Sequence, residues 1–405
     1  MKKSLIAVAI LSAFTASTAM ADVAVGSFTI YGTAQSAVES ISVSRSDSAA
    51  ITDTSKTSQN RLMDQTSKVG FKISHDLGSG STGLAQVESR VYLGNGGNNN
   101  DDKTEFGTRN TFVGLSNKDV GTVRLGRYDN AYKGSLKAIS PFIYNNINDA
   151  SAEYGSGQIL NRLGARQGDM VAYESPKISG VTALVSYNFG KDSTNSITGN
   201  ATADNTAKNT AAKTLMPQTA LSLAYANGPF TVGYGYTTIA NAAWQLDGSS
   251  AAKAAFNTTT GAAHTLTAQQ FGGQYTFGEY SIGAVWETTA SSLAGVSTAK
   301  NFDLTQSVYG ITGAYKSGAY EIHLRMAQAS DVSGTTLAGA TTAGSTGATQ
   351  SSVMVAYDLS KALKVIGSLT NVANNKNSSF TSASGFSLDN GTNMNQFAVG
   401  LAASF

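Results

Sequence analysis

The sequence has no cysteine, only four prolines and only three histidines in 405 residues. Without cysteine there is no disulfide framework, no thiolate zinc site and no cysteine nucleophile. Three scattered histidines, His75, His264 and His323, argue against a multi-histidine metal site, and no cofactor is expected. Charged residues make up 13% of the chain, about half the share usual in soluble globular proteins. Beyond residue 21 no apolar run reaches the roughly 18 residues that a membrane-crossing helix requires. A mean hydropathy of -0.11 likewise excludes a polytopic helical membrane protein. What the chain does have is 42 glycines, 17 tyrosines and 16 phenylalanines amid much serine and threonine. With so few prolines, that composition favours many strands over helices.

The N-terminus reads as an address. Lys2 and Lys3 precede an apolar run over residues 5–11, extended by Ala13-Phe14. Ala19-Met20-Ala21 then forms a small-residue cleavage site before Asp22. This is the pattern of a secretory signal peptide, residues 1–21, cut after Ala21. The run is too short to span about 30 Å of hydrocarbon as a helix. Cleavage removes two of 28 basic residues and none of 26 acidic ones, which leaves residues 22–405 with 26 of each. A nucleic-acid partner calls for a basic excess, so none is expected.

Period-two alternation supplies another way through a membrane. Over residues 395–405, Phe397, Val399, Leu401, Ala403 and Phe405 share one face, with Gln396, Ala398, Gly400, Ala402 and Ser404 on the other. Residues 320–328 put Tyr320, Ile322, Leu324 and Met326 opposite Glu321, His323, Arg325 and Ala327. Residues 280–287 and 68–74 alternate in the same way. Such a period places one set of side chains on each face of a strand.

Short connections join these segments in pairs: Asn227-Gly228-Pro229, Phe277-Gly278-Glu279, Ser317-Gly318, Ser360-Lys361-Ala362, residues 176–179 and residues 78–82. All read as hairpin turns. The opposite connections are long and polar: residues 44–66, 94–107, 190–216, 239–264, 289–304, 329–349 and 372–393. Short turns at one end and long loops at the other are the rhythm of an outer-membrane barrel. Tyr and Phe gather beside the short turns, among them Tyr173, Tyr225, Phe230, Tyr275, Phe277, Tyr280, Tyr315, Tyr320 and Tyr357, as an aromatic girdle at a membrane boundary requires. The expected fold is all-β: a transmembrane, antiparallel up-and-down β-barrel of about 16 strands. Closure is needed because lipid leaves no partner for an open edge. A barrel this wide cannot be filled by side chains, so it keeps a water channel.

One connection differs from the others. From Arg127 to Arg166 the period-two pattern is lost, with a helix-compatible stretch over residues 130–139. This third outer loop is expected to fold inward as a constriction, because long segments inside compact domains are usually functional. The residues expected to line the channel are Lys68, Lys72, Glu88, Arg90, Arg109 and Arg124 on the wall, with Glu39 a nearby acid. Arg127, Asp129, Asp149, Glu153, Arg162 and Arg166 join them from the loop. A charge on the lipid face costs about 2–4 kcal/mol near the midplane, which forces these groups inward. A basic ladder facing an acidic loop would set a field across the water column and bias ion selectivity. A weak anion preference is the expectation; ion pairing with no net preference is the alternative.

Several stretches carry a resemblance. Phe28-Thr29-Ile30-Tyr31-Gly32, the Ser67–Gly78 hairpin segment, Phe112-Val113-Gly114-Leu115, Val123-Arg124-Leu125-Gly126-Arg127 and Ala172-Tyr173-Glu174-Ser175-Pro176 occur in order along the chain. Together they resemble the general diffusion porins of Gram-negative bacteria, of the neisserial and beta-proteobacterial type. The resemblance implies a homotrimer of 16-stranded barrels in the bacterial outer membrane, among its lipid and lipopolysaccharide, passing ions and small hydrophilic solutes passively. Phe405 is similar to the family's C-terminal signal for the outer-membrane assembly machinery. The chain departs from the family in having Gln35 where an acid is usual and Lys68 where arginine is usual; lysine keeps the charge but loses the planar fork.

Other motifs lead nowhere. Gly78-Ser79-Gly80-Ser81-Thr82-Gly83 matches a dinucleotide fingerprint, but a strand follows where a helix must hold the pyrophosphate. His75-Asp76 sits at a turn with no serine placed to complete a triad. An enzyme is not expected. A substrate-selective channel, a barrel enzyme and a β-rich adhesin are the competing readings.

Overall fold

The computed structural model describes residues 26–45, 58–93, 106–136, 139, 159–190, 216–242, 264–293, 302–335, 344–382, 386 and 388–405. The signal segment 1–21 lies outside them. Among the described residues the chain runs β1 (Ser27–Arg45), β2 (Gln59–Asp64), β3 (Lys68–Gly78), β4 (Ser81–Arg90), β5 (Thr111–Asn117), β6 (Gly121–Asp129) and a one-turn helix α1 (Ala131–Gly134). It continues as β7 (Arg166–Glu174), β8 (Val181–Asn188), β9 (Gln218–Asn227), β10 (Phe230–Ala242), β11 (His264–Phe277), β12 (Tyr280–Leu293) and β13 (Phe302–Ser317). The last segments are β14 (Tyr320–Ala329), β15 (Ser333–Thr335), β16 (Ala348–Asp358), β17 (Leu363–Asn374) and β18 (Thr392–Ser404).

These eighteen segments form sixteen staves. β2 and β3 both pair with β1, at Ser36–Ile41 and Ser27–Thr33, and so are one stave interrupted at residues 65–67. β14 and β15 are likewise one stave along β13. Every ladder is antiparallel, and β1 pairs with β18 from Thr33↔Ser404 to Arg45↔Thr392, which closes the sheet. Gly32 N–H donates to the Phe405 carbonyl (2.9 Å) and Phe405 N–H returns a bond to the Gly32 carbonyl (3.1 Å). No edge is left for lipid to meet.

Side-chain placement follows the alternation. On β18, Phe397, Val399 and Leu401 are exposed on the outside while Gln396 and Ala398 are buried inside. On β14, Tyr320, Leu324 and Met326 face out; His323, Arg325 and Ala327 face in. Beside the short turns the rings form a run, Phe230–Tyr275–Phe277–Tyr280–Tyr315, with centroids 4.8, 5.9, 5.7 and 4.9 Å apart. Tyr320 and Tyr357 continue it at 4.8 Å.

The strands reach further into the polar connections than the pattern predicts. β2 lies within residues 44–66, β12 runs on to Leu293 and β10 to Ala242. Segments such as Thr288–Ser292 are polar on both faces and carry no period in the sequence, although Thr289 and Ser291 are buried on the inner side. Among the described residues, the helix-compatible stretch 130–139 contributes the single turn of α1, capped by the Asn130 side chain accepting from Lys133 N–H at 2.8 Å.

Two-residue turns close β9–β10, β11–β12 and β13–β14, each with glycine first: Gly228, Gly278 and Gly318, at φ +57°, +57° and +56°. Glycine at that position matches the hairpin turn that follows strand twist. A Cβ at Gly278 would meet nothing within 4 Å, so its backbone angle is the only obstacle to a larger residue. Gly278→Ala is therefore expected to destabilise the barrel by about 1–2 kcal/mol, read as a lower urea midpoint in detergent. An unchanged midpoint would show that the turn tolerates a side chain.

Candidate functional site

Charge collects on the inner wall from β1 to β7. Glu88 on β4 accepts from Arg109 (2.7 Å), takes the Tyr31 hydroxyl (2.9 Å) and lies 3.5 Å from the Lys68 ammonium. Tyr31 can reach it because its ring lies flat over Gly70, where a Cβ would collide with it. The Lys72 ammonium stands 4.6 Å from the centre of the same ring. Glu39 pairs with Arg61 at 2.8 Å and accepts from Gln65 at 2.5 Å. Asp64 pairs with Arg90 at 3.4 Å, next to the stave interruption where Thr66 adopts φ +68°. Such interruptions re-aim side chains. Arg124 pairs with Glu174 at 2.8 Å, its guanidinium 5.7 and 5.0 Å from the Phe112 and Tyr128 rings. Asp129 holds Lys133 (3.2 Å) and Arg166 (2.9 Å).

In this cluster seven bases share five carboxylates. Lys72 and Arg127, whose Nε donates to the Thr108 carbonyl at 2.9 Å, raise the bases to nine. Among the described residues the cluster is positive by four, with Glu39, Asp64 and Glu88 buried beneath bases that keep partial exposure.

The loop between β6 and β7 turns into the bore and docks on the opposite wall. Ala131 N–H donates to Ser186 Oγ at 2.9 Å, and Gln270 Nε2 donates to the Tyr132 carbonyl and Ser135 Oγ at 2.7 Å each. Asn130 and Gln218 side chains donate to the Leu163 carbonyl of the returning limb at 3.1 and 3.3 Å. Glu287 on β12 gathers both limbs. It accepts from Asn161 N–H (2.5 Å), pairs with Arg162 at 3.5 Å and interacts with the Tyr132 hydroxyl. Arg162 continues to Gln306 (2.5 Å) and Thr289 (2.6 Å).

Apolar packing accompanies these bonds. Tyr132 and Leu163 bury against Met216, Ile239 and Leu266. Leu136, Ile139, Ile159 and Leu160 bury with Val285, Val308 and Ala327. Each such aliphatic side chain contributes about 1.5–3 kcal/mol on full burial, which opposes the entropy cost of holding these residues against the wall. The wall makes room with glycines: a Cβ at Gly233 would run into the Ser135 carbonyl, and one at Gly272 would lie 2.9 Å from Ile139 Cδ1.

Of the residues singled out in the sequence, Lys68, Lys72, Glu88, Arg90, Arg109, Arg124, Arg127, Asp129 and Arg166 lie together on the β3–β7 side. Arg109 stands just before β5 rather than on a strand. Arg162 lies across the bore from them, against β12 and β13. Asp149 and Glu153 fall outside the described residues. Sequence reasoning passed over Tyr31, Arg61, Asp64, Lys133, Glu174 and Glu287. A carboxylate on the wet face of residues 280–287 was a visible signal for Glu287; its partner on a distant loop was not. Among the described residues no group of three or more His, Asp or Glu could hold a metal ion.

Comparison with known proteins agrees with this geometry. The family model described as Gram-negative porin matches residues 7–378. The chain is 30% identical over 188 residues to major outer membrane protein P.IA of Neisseria meningitidis serogroup A, 44% of each chain. It is 29% identical over 202 residues to P.IB of a serogroup B strain, 48% of this chain and 53% of that one. The chain thus spans about half the length of the curated relatives it matches. Among solved structures, the anion-selective porin from Comamonas acidovorans shares the fold with a TM-score of 0.66 at 21% identity, over 94% of this chain and 99% of that one. Salmonella typhi OmpF shares it at a TM-score of 0.59 and 15% identity, over 93% and 97%. With a closed sixteen-stave barrel, an apolar outside, a charged bore and a family match across most of its length, the chain belongs to the Gram-negative porin family.

Proposed function

We propose that the protein is an outer-membrane channel through which ions and small hydrophilic solutes diffuse passively, with a weak preference for anions. The observation that carries this reading is the pairing of a closed, lipid-compatible barrel with a charged inner wall. The described residues of the loop between β6 and β7, 130–136, 139 and 159–165, narrow the bore from the β9–β13 side, and the positive cluster borders the remaining passage. Five carboxylates within that cluster keep the preference weak. The relatives named as major outer membrane proteins and the anion-selective structural neighbour support the same reading.

A homotrimer completes the proposal. Asn371 Nδ2 donates to Asn395 Oδ1 at 2.8 Å on the outward face of β17 and β18, a polar spot on an otherwise largely apolar outside. A neighbouring copy over this face would shield it; lipid and lipopolysaccharide cover the rest. Removal of residues 1–21 and capture of Phe405 by the assembly machinery belong to the same reading.

The test is incorporation of purified, folded protein into a planar bilayer. Stepwise conductance is expected, with a reversal potential in a KCl gradient on the anion-selective side. Folded protein that leaves the bilayer silent would end the channel reading; a cation-selective potential would end the assignment of its charge.

A further inference from the structure

A second loop also enters the bore. Between β17 and β18 the chain buries Ser378, Phe380, Thr381, Ser382, Phe386 and Leu388, with Phe380 1% and Phe386 5% exposed. An outer loop standing in water has no reason to bury two phenylalanines. Phe380, Phe386 and Leu388 join the apolar cluster that contains Leu136, Ile139, Ile159 and Leu160 of the first inward loop, together with Ile41, Val372 and Met394 of the wall.

Depth along the wall shows how far the loop descends. Ser382 Oγ lies 3.2 Å from Gln396 Oε1, four residues below Thr392 at the top of β18. At about 3.3 Å per residue that is roughly 13 Å down the strand. The Phe386 ring lies 5.9 Å from the guanidinium of Arg61, which pairs with the inward Glu39. Phe380 meets the Arg162 guanidinium at the same 5.9 Å, at the edge of cation–π range. Arg162 therefore touches β12, β13 and both loops. Hydrogen bonds seal the fold of the second loop: Phe380 N–H to Asn374 Oδ1 (2.8 Å), Asn374 Nδ2 to the Phe380 carbonyl (2.9 Å) and Ser378 Oγ to the Gly347 carbonyl (2.6 Å).

We propose that the described residues between β17 and β18, 375–382, 386 and 388–391, form a second constriction element, anchored by Phe380 and Phe386, so that two loops that meet at Arg162 set the size limit of the pore. The two loops line the bore from β9 round to β2 and leave the charged β3–β7 wall as the face along which solutes pass. This rests on the channel reading above and adds to it which segment limits solute size.

The experiment compares wild type with the Phe380→Ala/Phe386→Ala variant in planar bilayers and in liposome swelling with sugars of graded size. An upward shift of unit conductance and of the largest sugar admitted is expected. If wild type conducts and the variant, folded by its heat-resistant gel mobility, matches it in both readouts, the proposal falls while the channel reading stands. If wild type itself does not conduct, the channel reading falls. A second measurement covers failure of the variant to fold. The chain has no cysteine, so Ser378→Cys and, as an exposed reference, Lys376→Cys each carry a single thiol. A membrane-impermeant maleimide is expected to label position 378 far more slowly than position 376. Equal rates would place the loop in bulk water and overturn the proposal.

Discussion

Glu287→Gln is expected to release the inward loop and to give the largest stability loss of any single substitution in the bore. Glu287 is fully buried, and Arg162 opposite it is 4% exposed at its side chain. Removing one partner of a buried pair costs about 3–5 kcal/mol, because the other charge stays behind without compensation. The amide keeps the shape of the carboxylate, so the change isolates charge from packing. Both limbs of the loop converge on this carboxylate, through Tyr132 on one side and Asn161 and Arg162 on the other. The expected result is a lower temperature for loss of the folded gel band, with a larger and noisier unit conductance. Wild-type melting and wild-type conductance together would mean that apolar contacts alone hold the loop.

Ion selectivity is the second large effect. Replacing Lys72, Arg124 and Arg127 by glutamine reduces the cluster from nine bases to six against its five carboxylates. The reversal potential in a KCl gradient is expected to move most of the way to zero. The shift is read best at low salt. Screening extends about 10 Å at 0.1 M but only about 3 Å at 1 M, so the difference between variant and wild type shrinks as salt rises. Glu88→Gln works in the opposite sense. It removes the carboxylate shared by Lys68 and Arg109 and is expected to strengthen anion preference. A pair of variants that leave the potential unmoved would place the selectivity-determining charges elsewhere.

The barrel was legible in the sequence because its signal is local. Each strand between lipid and water has to alternate, and residues 395–405 and 320–328 do so without interruption. Four of the hairpin turns declared themselves by glycine, at Gly78/Gly80, Gly228, Gly278 and Gly318, and the girdle by the tyrosines beside them. The strand tips above the membrane were not legible. Thr288 to Ser292 are polar on both faces, the inner face being covered at Thr289 and Ser291, so nothing in the residue order separates strand from loop. The inward bases were legible singly, because charge cannot face lipid, but their partners were not. Arg61 and Asp64 fell inside a stretch read as loop, and Tyr31 became part of the cluster only through the space left by Gly70.

Residue order alone therefore determined the wall: its strand count, its oily and wet faces and its connections, all consequences of a period of two within one segment. Tertiary structure decided what fills the bore. Which carboxylate receives which base, that Glu287 holds residues more than a hundred positions earlier in the chain, and that Phe380 and Phe386 turn inward are contacts between segments far apart in the chain. They are settled only when the sheet closes and brings its inner faces within hydrogen-bonding and van der Waals reach.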